Sequence, residues 1–192
     1  SLESIQEVGA DCDLKGGKWA VLGSGYGRLA YDMYHTFAPE LLVALDFNPV
    51  SVICAKKMTH EGALTAVEFP RDPVDSESAG VTHHCQSKPI QNGKFFHLMG
   101  DGTLPPFLSE SLDVVVAPWL IDIVPQDIED ILIQVNRILK PGGKFIHFGT
   151  LNFEKRKQVD RLSEFEVYAL AEKQGFRQKS HFNKMIPYLK SP

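Results

Sequence analysis

Three glycines, Gly23, Gly25 and Gly27, alternate with other residues directly after an apolar run at residues 19–22. From Gly27 to about Phe37 the apolar residues recur at helical spacing. Glycine lets the backbone turn sharply and approach a ligand closely, and the amino end of the following helix directs N–H groups and a positive dipole to the same place. The run therefore predicts a strand, a ligand-binding turn and a helix, and it indicates a nucleotide-type ligand.

Short apolar strands alternate with amphipathic helices along most of the chain, and no internal repeat is found. This alternation, with nearly continuous apolar strands, predicts an α/β fold with a doubly wound, mostly parallel sheet covered by helices on both faces. The ligand of such a fold binds beyond the carboxyl ends of the strands. The predicted strands are residues 19–22, 41–45, 95–99, 112–117 and 144–148, with a sixth within 178–189. The predicted helices are residues 27–37, 50–58 and 128–139, and one that begins at a capping box of Ser163 and Glu166 and ends at Gln174 and Gly175.

Two segments interrupt the alternation. Residues 70–93 are rich in Pro, Asp, Ser, His, Gln and Gly, and their length and polarity predict an insertion loop. His83, His84 and Cys85 lie within it, but no second Cys or His pair stands at metal spacing, so we expect a solvated loop and no metal site. The turn at residues 140–143 is expected to stop the preceding helix, with glycine in a left-handed C-terminal cap.

Composition narrows the function classes. At 192 residues, with 43% hydrophobic and 23% charged residues, the chain is expected to form one domain over residues 1–192. A net charge of −4 gives no reason to expect nucleic acid or an anionic membrane as a partner. Three scattered cysteines favour a reducing compartment, the cytoplasm, and no apolar stretch approaches the roughly 20 residues of a membrane span.

Asp46 directly follows the second predicted strand, about twenty residues after Gly27. A carboxylate at that position can accept both hydroxyl hydrogens of a ribose, which suits NAD and S-adenosylmethionine equally. Capping of the following helix is the alternative role. Asp101 follows the third strand, so three loops are expected to converge on one crevice.

The glycines separate the two cofactors. A dinucleotide fingerprint requires a small residue where this chain has Arg28, and the G-x-G-x-G form resembles the class I methyltransferase pattern instead. The resemblance continues through residues 100–105 and 139–143 and covers roughly residues 19–150. It implies a Rossmann-like fold, here without its usual last strand or not showing it, and S-adenosylmethionine as cofactor. It also implies adenine contacts from Asp101 and Gly102, although Asp101 could instead form an Asx-turn. Arg28 is expected either to bind the carboxylate of the cofactor or to lie on the helix surface.

A narrower resemblance links residues 117–122, 148–153, 161–163, 174–176 and 186–188 to the carnosine N-methyltransferase family. It implies methyl transfer to a small-molecule acceptor, through an imidazole or amine nitrogen. Asp122 would hold or deprotonate the acceptor as the catalytic residue, and Trp119, Asp122, Asn152 and Tyr188 would line the substrate pocket. The alternatives are a local cap or turn for Asp122 and core packing for Trp119.

Two other functions stay open on the sequence. One is a non-catalytic adenosyl-binding module; the other is an NAD-dependent oxidoreductase of similar architecture, for which the chain has neither the dinucleotide fingerprint nor a Tyr-x-x-x-Lys pair. His147 lies inside an apolar strand and is expected to be a core residue with its hydrogen bonds satisfied.

Overall fold

The computed structural model describes residues 2–12, 14–69, 74–75, 79–153, 157, 161–181 and 183. The strands are β1 (Lys18–Leu22), β2 (Leu41–Asp46), β3 (Ala63–Glu68), β4 (Val81–Gln86), β5 (Phe95–Met99), β6 (Leu112–Pro118) and β7 (Leu139–Phe148). The helices are α1 (Leu2–Cys12), α2 (Arg28–Phe37), α3 (Pro49–Lys56), α4 (Ile128–Ile138) and α5 (Glu164–Lys173). A π-helical turn at Lys57–Glu61 continues α3. None of these helices is long and apolar enough to cross a membrane.

The main sheet has five strands in the order β5-β2-β1-β6-β7. Every neighbouring pair in it is parallel. After β1, the chain adds β2 and then β5 on one side of β1, and it then crosses to add β6 and β7 on the other side. The order therefore reverses between β1 and β6, and a doubly wound sheet binds its ligand at such a point, beyond the carboxyl ends of the strands. The predicted fold class is confirmed.

The two faces of the sheet bury separate cores, because successive side chains of a strand point to opposite faces. On β1, Trp19 and Val21 pack with residues of α1 and α2, whereas Ala20 and Leu22 pack with residues of α4 and α5. The capping box at Ser163 is present as predicted, with the Ser163 N–H and side chain both bonded to Glu166. Helices therefore cover both faces and fix the strand ends that carry the candidate site.

The insertion-loop prediction for residues 70–93 is wrong for residues 81–86. These form β4, which pairs antiparallel with β3 in a two-stranded ribbon. Almost all of its side chains are exposed, so no apolar alternation marks it in the sequence. Cross-strand contacts join His83 Nε2 to Glu68 Oε2 at 2.8 Å and Thr65 Oγ1 to His84 Nδ1 at 3.2 Å.

The turn at residues 140–143 is a second correction. Gly142 is left-handed as expected, with φ 77°. It does not cap α4, because the residue after the helix, Leu139, is already extended and pairs with Leu112 in the sheet. The register then shifts to Val114 opposite Lys144, so residues 140–143 form a bulge within β7. The strand begins where the helix ends, and no separate cap is needed.

The ends of the chain also differ from the prediction. α1 was not predicted, yet its Ile5 is only 1% exposed and belongs to the core on the α2 face. No strand is found among residues 178–181 and 183, and the remainder of the predicted sixth strand lies outside the described residues.

His97 of β5 lies between the sheet and the π-helical turn. Its Nε2 is 2.9 Å from Thr59 Oγ1, and its ring is 6.0 Å from that of His60. Burial, with smaller contributions from His60 and Lys56, lowers the pKa of His97 to about 4. Burial at this position therefore favours the uncharged form of the His97 ring.

We predict that acid weakens the fold through His97. Between the unfolded pKa near 6.5 and the folded pKa near 4, the unfolded chain binds the proton more readily, so stability falls as the pH drops through this window. The full shift corresponds to roughly 3 kcal/mol, and partial exposure of the ring reduces it to about 1–2 kcal/mol. Urea unfolding at pH 7 and pH 5 measures the loss. The His97→Gln variant should show a smaller pH dependence, and the exposed His84→Gln variant the wild-type one; equal slopes in all three would contradict the assignment.

Candidate cofactor and acceptor site

The glycine turn after β1 is fixed by the end of β2. The backbone N–H groups of Gly23 and Ser24 both donate to the Leu45 carbonyl, at 2.9 and 3.0 Å. Gly23, Gly25 and Gly27 all have positive φ, at 71°, 54° and 76°. Gly27 precedes α2, and no side chain caps the amino end of this helix. Free N–H groups at that end can bind an anionic or polar ligand group.

The three glycines are needed for different reasons. A Cβ on Gly27 would lie 3.0 Å from both Ala55 Cβ and His97 Cε1, and one on Gly23 would lie 3.1 Å from Leu120 Cδ1. At Gly25 a Cβ would meet nothing within 4 Å. A side chain at position 23 or 27 would therefore crowd neighbouring side chains, whereas Gly25 faces open space beside the turn.

Asp46 connects the glycine turn to α3. Its Oδ2 accepts the Gly25 N–H at 2.7 Å, and its Oδ1 accepts the Asn48 N–H at 2.9 Å. The cap of α3 is Asn48, whose Oδ1 accepts from the Val50 N–H at 2.9 Å, so the helix-cap alternative for Asp46 does not apply. Each carboxylate oxygen has more than one lone pair, so Asp46 can still accept hydrogen bonds from two hydroxyl groups.

The loops after β1, β2 and β5 meet as expected, and Leu120 of the loop after β6 lies beside them. A Cβ built on Gly102 would lie 3.3 Å from Leu120 Cδ2 and 3.6 Å from the Gly23 nitrogen. The Gly100 N–H donates to the Asp46 carbonyl at 3.0 Å. The exposed Asp101 accepts from Thr103 through both the backbone N–H, at 2.8 Å, and the hydroxyl, at 2.7 Å. The Asx-turn is thus present, and an adenine contact by Asp101 stays a prediction.

Large apolar side chains stand exposed around this crevice. Three of them lie in the loops that follow β1, β2 and β5, and the fourth, Met99, is the last residue of β5. A flat aromatic ligand would remove such surface from water. An apolar residue directly after the acidic residue of a strand end, as in Phe47, is the signal that could have identified them. Their exposed fractions are 63% for Tyr26, 78% for Phe47, 60% for Met99 and 65% for Leu104.

Arg28 lies on the surface of α2. Its Nε donates to Asp32 Oδ2 at 2.8 Å, one helical turn along, and its side chain is 85% exposed. The structure therefore matches the helix-surface alternative for Arg28. Binding of a cofactor carboxylate would require the ion pair to open.

Trp119 directly follows β6, at the strand end where the sequence resemblance predicts the acceptor pocket. It follows β6 with φ 51°, a left-handed conformation that is strained for a bulky residue. Its N–H donates to the Phe148 carbonyl at 2.7 Å, and its ring meets that of Phe148 edge-on at 5.5 Å. A Cβ on Gly149 would lie 3.1 Å from the Trp119 nitrogen. The ends of β6 and β7 therefore lock Trp119 in place.

Asp122 is buried at 6% exposure, beside Trp119 in the chain. Its Oδ2 accepts the Thr150 hydroxyl at 2.5 Å. Its Oδ1 is shielded from solvent and has no hydrogen-bond partner within the part of the chain that the structure describes. The same holds for His147 Nε2, so the expectation of a fully satisfied core histidine is wrong. Asn152, two residues after Thr150 in the chain, is exposed. Tyr188 lies outside the described residues.

An open groove of about 2520 Å³ runs along β7 and includes Trp119, Asp122, His147 and Thr150 in its wall. Its volume exceeds that of a small-molecule pocket several-fold, and the glycine turn is not part of it. Only its end beside Asp122 lies at the carboxyl edge of the sheet. Within the described ranges, no cluster of three or more His, Cys, Asp or Glu side chains could hold a metal ion.

Residues 21–147, more than half of the chain, match the family of methyltransferase domains. The chain belongs to this family, and its fold is that of the class I S-adenosylmethionine-dependent methyltransferases. S-adenosylmethionine is the cofactor of this class of domain. No curated protein matches the chain significantly.

Solved structures agree with the fold. A candidate sarcosine dimethylglycine methyltransferase of Galdieria sulphuraria has a TM-score of 0.61 and 16% identity, with 91% of this chain and 59% of that chain covered. A methyltransferase of Thermotoga maritima, described as a possible histamine N-methyltransferase, has a TM-score of 0.57 and 21% identity over 92% of this chain and 69% of that one.

A third structure, geranyl diphosphate C-methyltransferase of Streptomyces coelicolor with S-adenosyl-L-homocysteine, has a TM-score of 0.53 and 13% identity. The matched region covers 76% of this chain and 45% of the Streptomyces coelicolor chain. This chain thus spans about half to two thirds of the length of these three proteins. At identities of 13–21%, this similarity shows a shared fold and nothing more specific.

We predict that alanine has different effects at two of the glycines. Gly25→Ala adds a methyl group to open space, so it should cost about 1 kcal/mol of stability, from left-handed strain alone. Gly27→Ala adds the same strain plus contacts at 3.0 Å, so it should cost about 2–4 kcal/mol. Urea unfolding gives both values. Equal losses would mean that the packing beneath Gly27 does not constrain the turn.

Proposed function

We propose that this domain transfers a methyl group from S-adenosylmethionine to a nitrogen of a small molecule, an imidazole or an amine. The observation that carries the acceptor part is the buried carboxylate of Asp122, whose Oδ2 is held by Thr150 and whose Oδ1 has no partner among the described residues. An ionised carboxylate can only accept hydrogen bonds, so it suits a ligand that carries N–H groups. Carnosine, an imidazole compound, represents the acceptor class that the sequence resemblance implies.

The residues of the crevice suit the cofactor. Open space beside Gly25 admits a ligand close to the backbone, and the remaining lone pairs of Asp46 suit the two hydroxyl groups of a ribose. The exposed rings and chains around the crevice, Phe47 among them, offer apolar contact to an adenine. Asp101 and Gly102 lie on the same loop cluster and are proposed to complete the adenine site.

When bound, the cofactor supplies a methyl group already activated on a sulfonium. The task left to the protein is chiefly to place the acceptor nitrogen and to manage its proton. Asp122, bonded to one N–H of an imidazole, would leave the lone pair of the other ring nitrogen free to attack. Thr150 would keep the carboxylate in a fixed orientation, and Trp119 and Asn152 are proposed to line the acceptor pocket. Tyr188 remains a proposed contact from the sequence resemblance.

The Thermotoga maritima neighbour, described as a possible histamine N-methyltransferase, supports this acceptor class. Histamine combines an imidazole with an amine, the two nitrogen groups proposed here. The support is a likeness of fold at 21% identity, and the acceptor chemistry itself rests on Asp122.

We predict that Asp46→Ala weakens S-adenosylmethionine binding at least tenfold in isothermal titration calorimetry. The variant removes the proposed ribose acceptor and also the bond to Gly25. Asp46→Asn, which nearly preserves the shape, should lie between the wild type and the alanine variant. Glu40→Gln removes an exposed carboxylate before β2 and serves as the control with unchanged affinity. Unaltered binding in both Asp46 variants would remove the ribose role.

We predict that Asp122→Asn lowers kcat by about 10²-fold or more, since a group that holds or removes a proton typically contributes that much. The affinity for S-adenosylmethionine should stay within twofold, because Asp122 is on the acceptor side. Transfer of a radiolabelled methyl group to imidazole, histamine and small amines measures turnover. Wild-type turnover in the Asp122→Asn variant would exclude a catalytic role. Cofactor binding without transfer to any of these acceptors by the wild type would favour the adenosyl-binding module.

A further inference from the structure

We propose that Arg137 of α4 is a positioning residue for base recognition: it fixes the loop after β5 so that Asp101 distinguishes adenine from other purines. The inference rests on the proposed function, in which Asp101 and Gly102 complete the adenine site. It adds a residue to which neither the family match nor the sequence resemblance gives a role. Three hydrogen bonds between Arg137 and this loop carry it.

The β5–β6 loop, residues 100–111, has few hydrogen-bond donors at its centre. Pro105 and Pro106 have no N–H group, and a proline also restricts the residue before it to an extended conformation. The Phe107 N–H donates back to the Pro105 carbonyl at 2.8 Å. Carbonyl groups in such a segment need donors from another element if they are to be held in one place.

Arg137 supplies these donors from the last turn of α4. Its Nη1 donates to the Phe107 carbonyl at 2.7 Å, and its Nη2 donates to the Pro105 carbonyl at 2.9 Å. Its Nε donates to Gln134 Oε1 at 2.9 Å, which orients the guanidinium plane. The Arg137 carbonyl in turn accepts the Glu110 N–H at 2.9 Å. One residue therefore holds the loop at three points.

The geometry requires a guanidinium. Its N–H donors lie in one fixed plane, so two of its nitrogens can reach two carbonyls at once, whereas the ammonium of lysine is a single point on a flexible chain. Hydrogen bonds from a charged donor are roughly twice as strong as those from a neutral one. Arg137 is half-buried, and within the described residues it forms no ion pair with a carboxylate. Its charge therefore acts on the carbonyls of the loop.

The proposed adenine contacts lie at the other end of the same loop. A Cβ on Gly102 would lie 3.5 Å from Leu22 Cβ and 3.6 Å from the Gly23 nitrogen, so the loop packs against the start of the glycine turn. Asp101 Oδ1 accepts both the N–H and the hydroxyl of Thr103. Asp101 Oδ2 accepts no hydrogen bond within the part of the chain that the structure describes, and it is the atom left for a base.

The path from Arg137 to Asp101 is short. The Leu104 N–H donates to the Asp101 carbonyl at 3.3 Å, and the next residue is Pro105, whose carbonyl Arg137 holds. Only four positions separate Asp101 from this contact, and the turn over residues 101–104 joins them. The orientation of the Asp101 carboxylate therefore depends on the hold that Arg137 has on the loop.

Adenine and hypoxanthine differ at the group that this carboxylate would read. Adenine has an amino group at C6, which donates hydrogen bonds, whereas hypoxanthine has a carbonyl oxygen there, which only accepts them. A carboxylate fixed opposite C6 binds the first base and repels the second. A carboxylate on a loose loop can shift to the N1–H of hypoxanthine and loses the discrimination. Arg137 thus acts on base selectivity without touching the cofactor.

The test is the affinity ratio of S-adenosylhomocysteine to S-inosylhomocysteine, measured by isothermal titration calorimetry. We expect the wild type to prefer the adenosyl ligand at least tenfold. In Arg137→Gln, whose single amide cannot span both carbonyls, the preference should fall to threefold or less. Arg137→Lys should lie between the two, because it can reach one carbonyl. Arg177→Gln, which removes an exposed arginine beyond α5, should keep the wild-type ratio.

A loss of stability alone would not produce this result, because it weakens both ligands by the same factor. Urea unfolding measures that loss separately. Asp101→Asn supplies a second, independent variant. Thr103 still needs an acceptor at Oδ1, so the new amide N–H₂ takes the place of Oδ2 and should shift the ratio at least tenfold towards the inosyl ligand. In an Arg137→Lys background this shift should be smaller, since residues coupled through one loop do not act additively.

The outcomes separate this inference from the proposed function. A wild-type enzyme without base preference overturns it, as does a wild-type ratio in Arg137→Gln, or in Arg137→Lys if the glutamine variant does not fold. If the ratio falls as expected but the wild type methylates no imidazole or amine, the acceptor class fails and the role of Arg137 stands. Binding of neither ligand by the wild type removes the cofactor site and this inference together.

Discussion

The end of β2 is the constraint on which the site depends. The Asp46 carboxylate accepts the N–H groups of Gly25 and Asn48, and the Asp46 carbonyl accepts that of Gly100. One residue thus binds the loops that follow β1, β2 and β5. Because these loops follow strands that are parallel and adjacent, their backbone groups can all reach the same point. The crevice is consequently built by hydrogen bonds to the side chain and the carbonyl of Asp46 before any ligand is present.

Most of the fold could be predicted, since its elements have strong local patterns. α4 buries Ile128, Ile131 and Val135 at helical spacing, and β6 contains a buried apolar run at residues 114–117. The β3–β4 ribbon could not be predicted in the same way. Its side chains are almost all exposed, so burial imposes no pattern on the sequence, and its pairing depends on backbone bonds and polar cross-strand contacts. The bulge at residues 140–143 was missed because the sheet continues the chain directly where a turn would otherwise cap the helix.

The two halves of the candidate site differ in how far sequence predicts them. The glycines and Asp46 carry local signals, and the structure brings them together with Gly102. The acceptor side depends on contacts that no spacing reveals. Thr150 reaches Asp122 from 28 positions away, and the register of β6 and β7 places His147 opposite Ala117. The strained Trp119 likewise has no local sign, because a tryptophan in a left-handed conformation requires the packing of Gly149 against it.

This difference has a physical consequence for recognition. On the cofactor side, the polar groups of Asp46 and the glycine turn already have hydrogen-bond partners. Little free energy is therefore lost in ordering these groups when a ligand binds. On the acceptor side, Trp119 is strained and two buried acceptor atoms lack donors, so the unfavourable terms are concentrated there. A molecule that supplied a proton or an N–H group to that cluster would relieve them, whereas one offering only carbonyl or ether oxygens would not. With the acceptor site as proposed, selectivity for the acceptor resides in few side chains at the ends of β6 and β7, and the cofactor crevice can remain unchanged while those side chains vary.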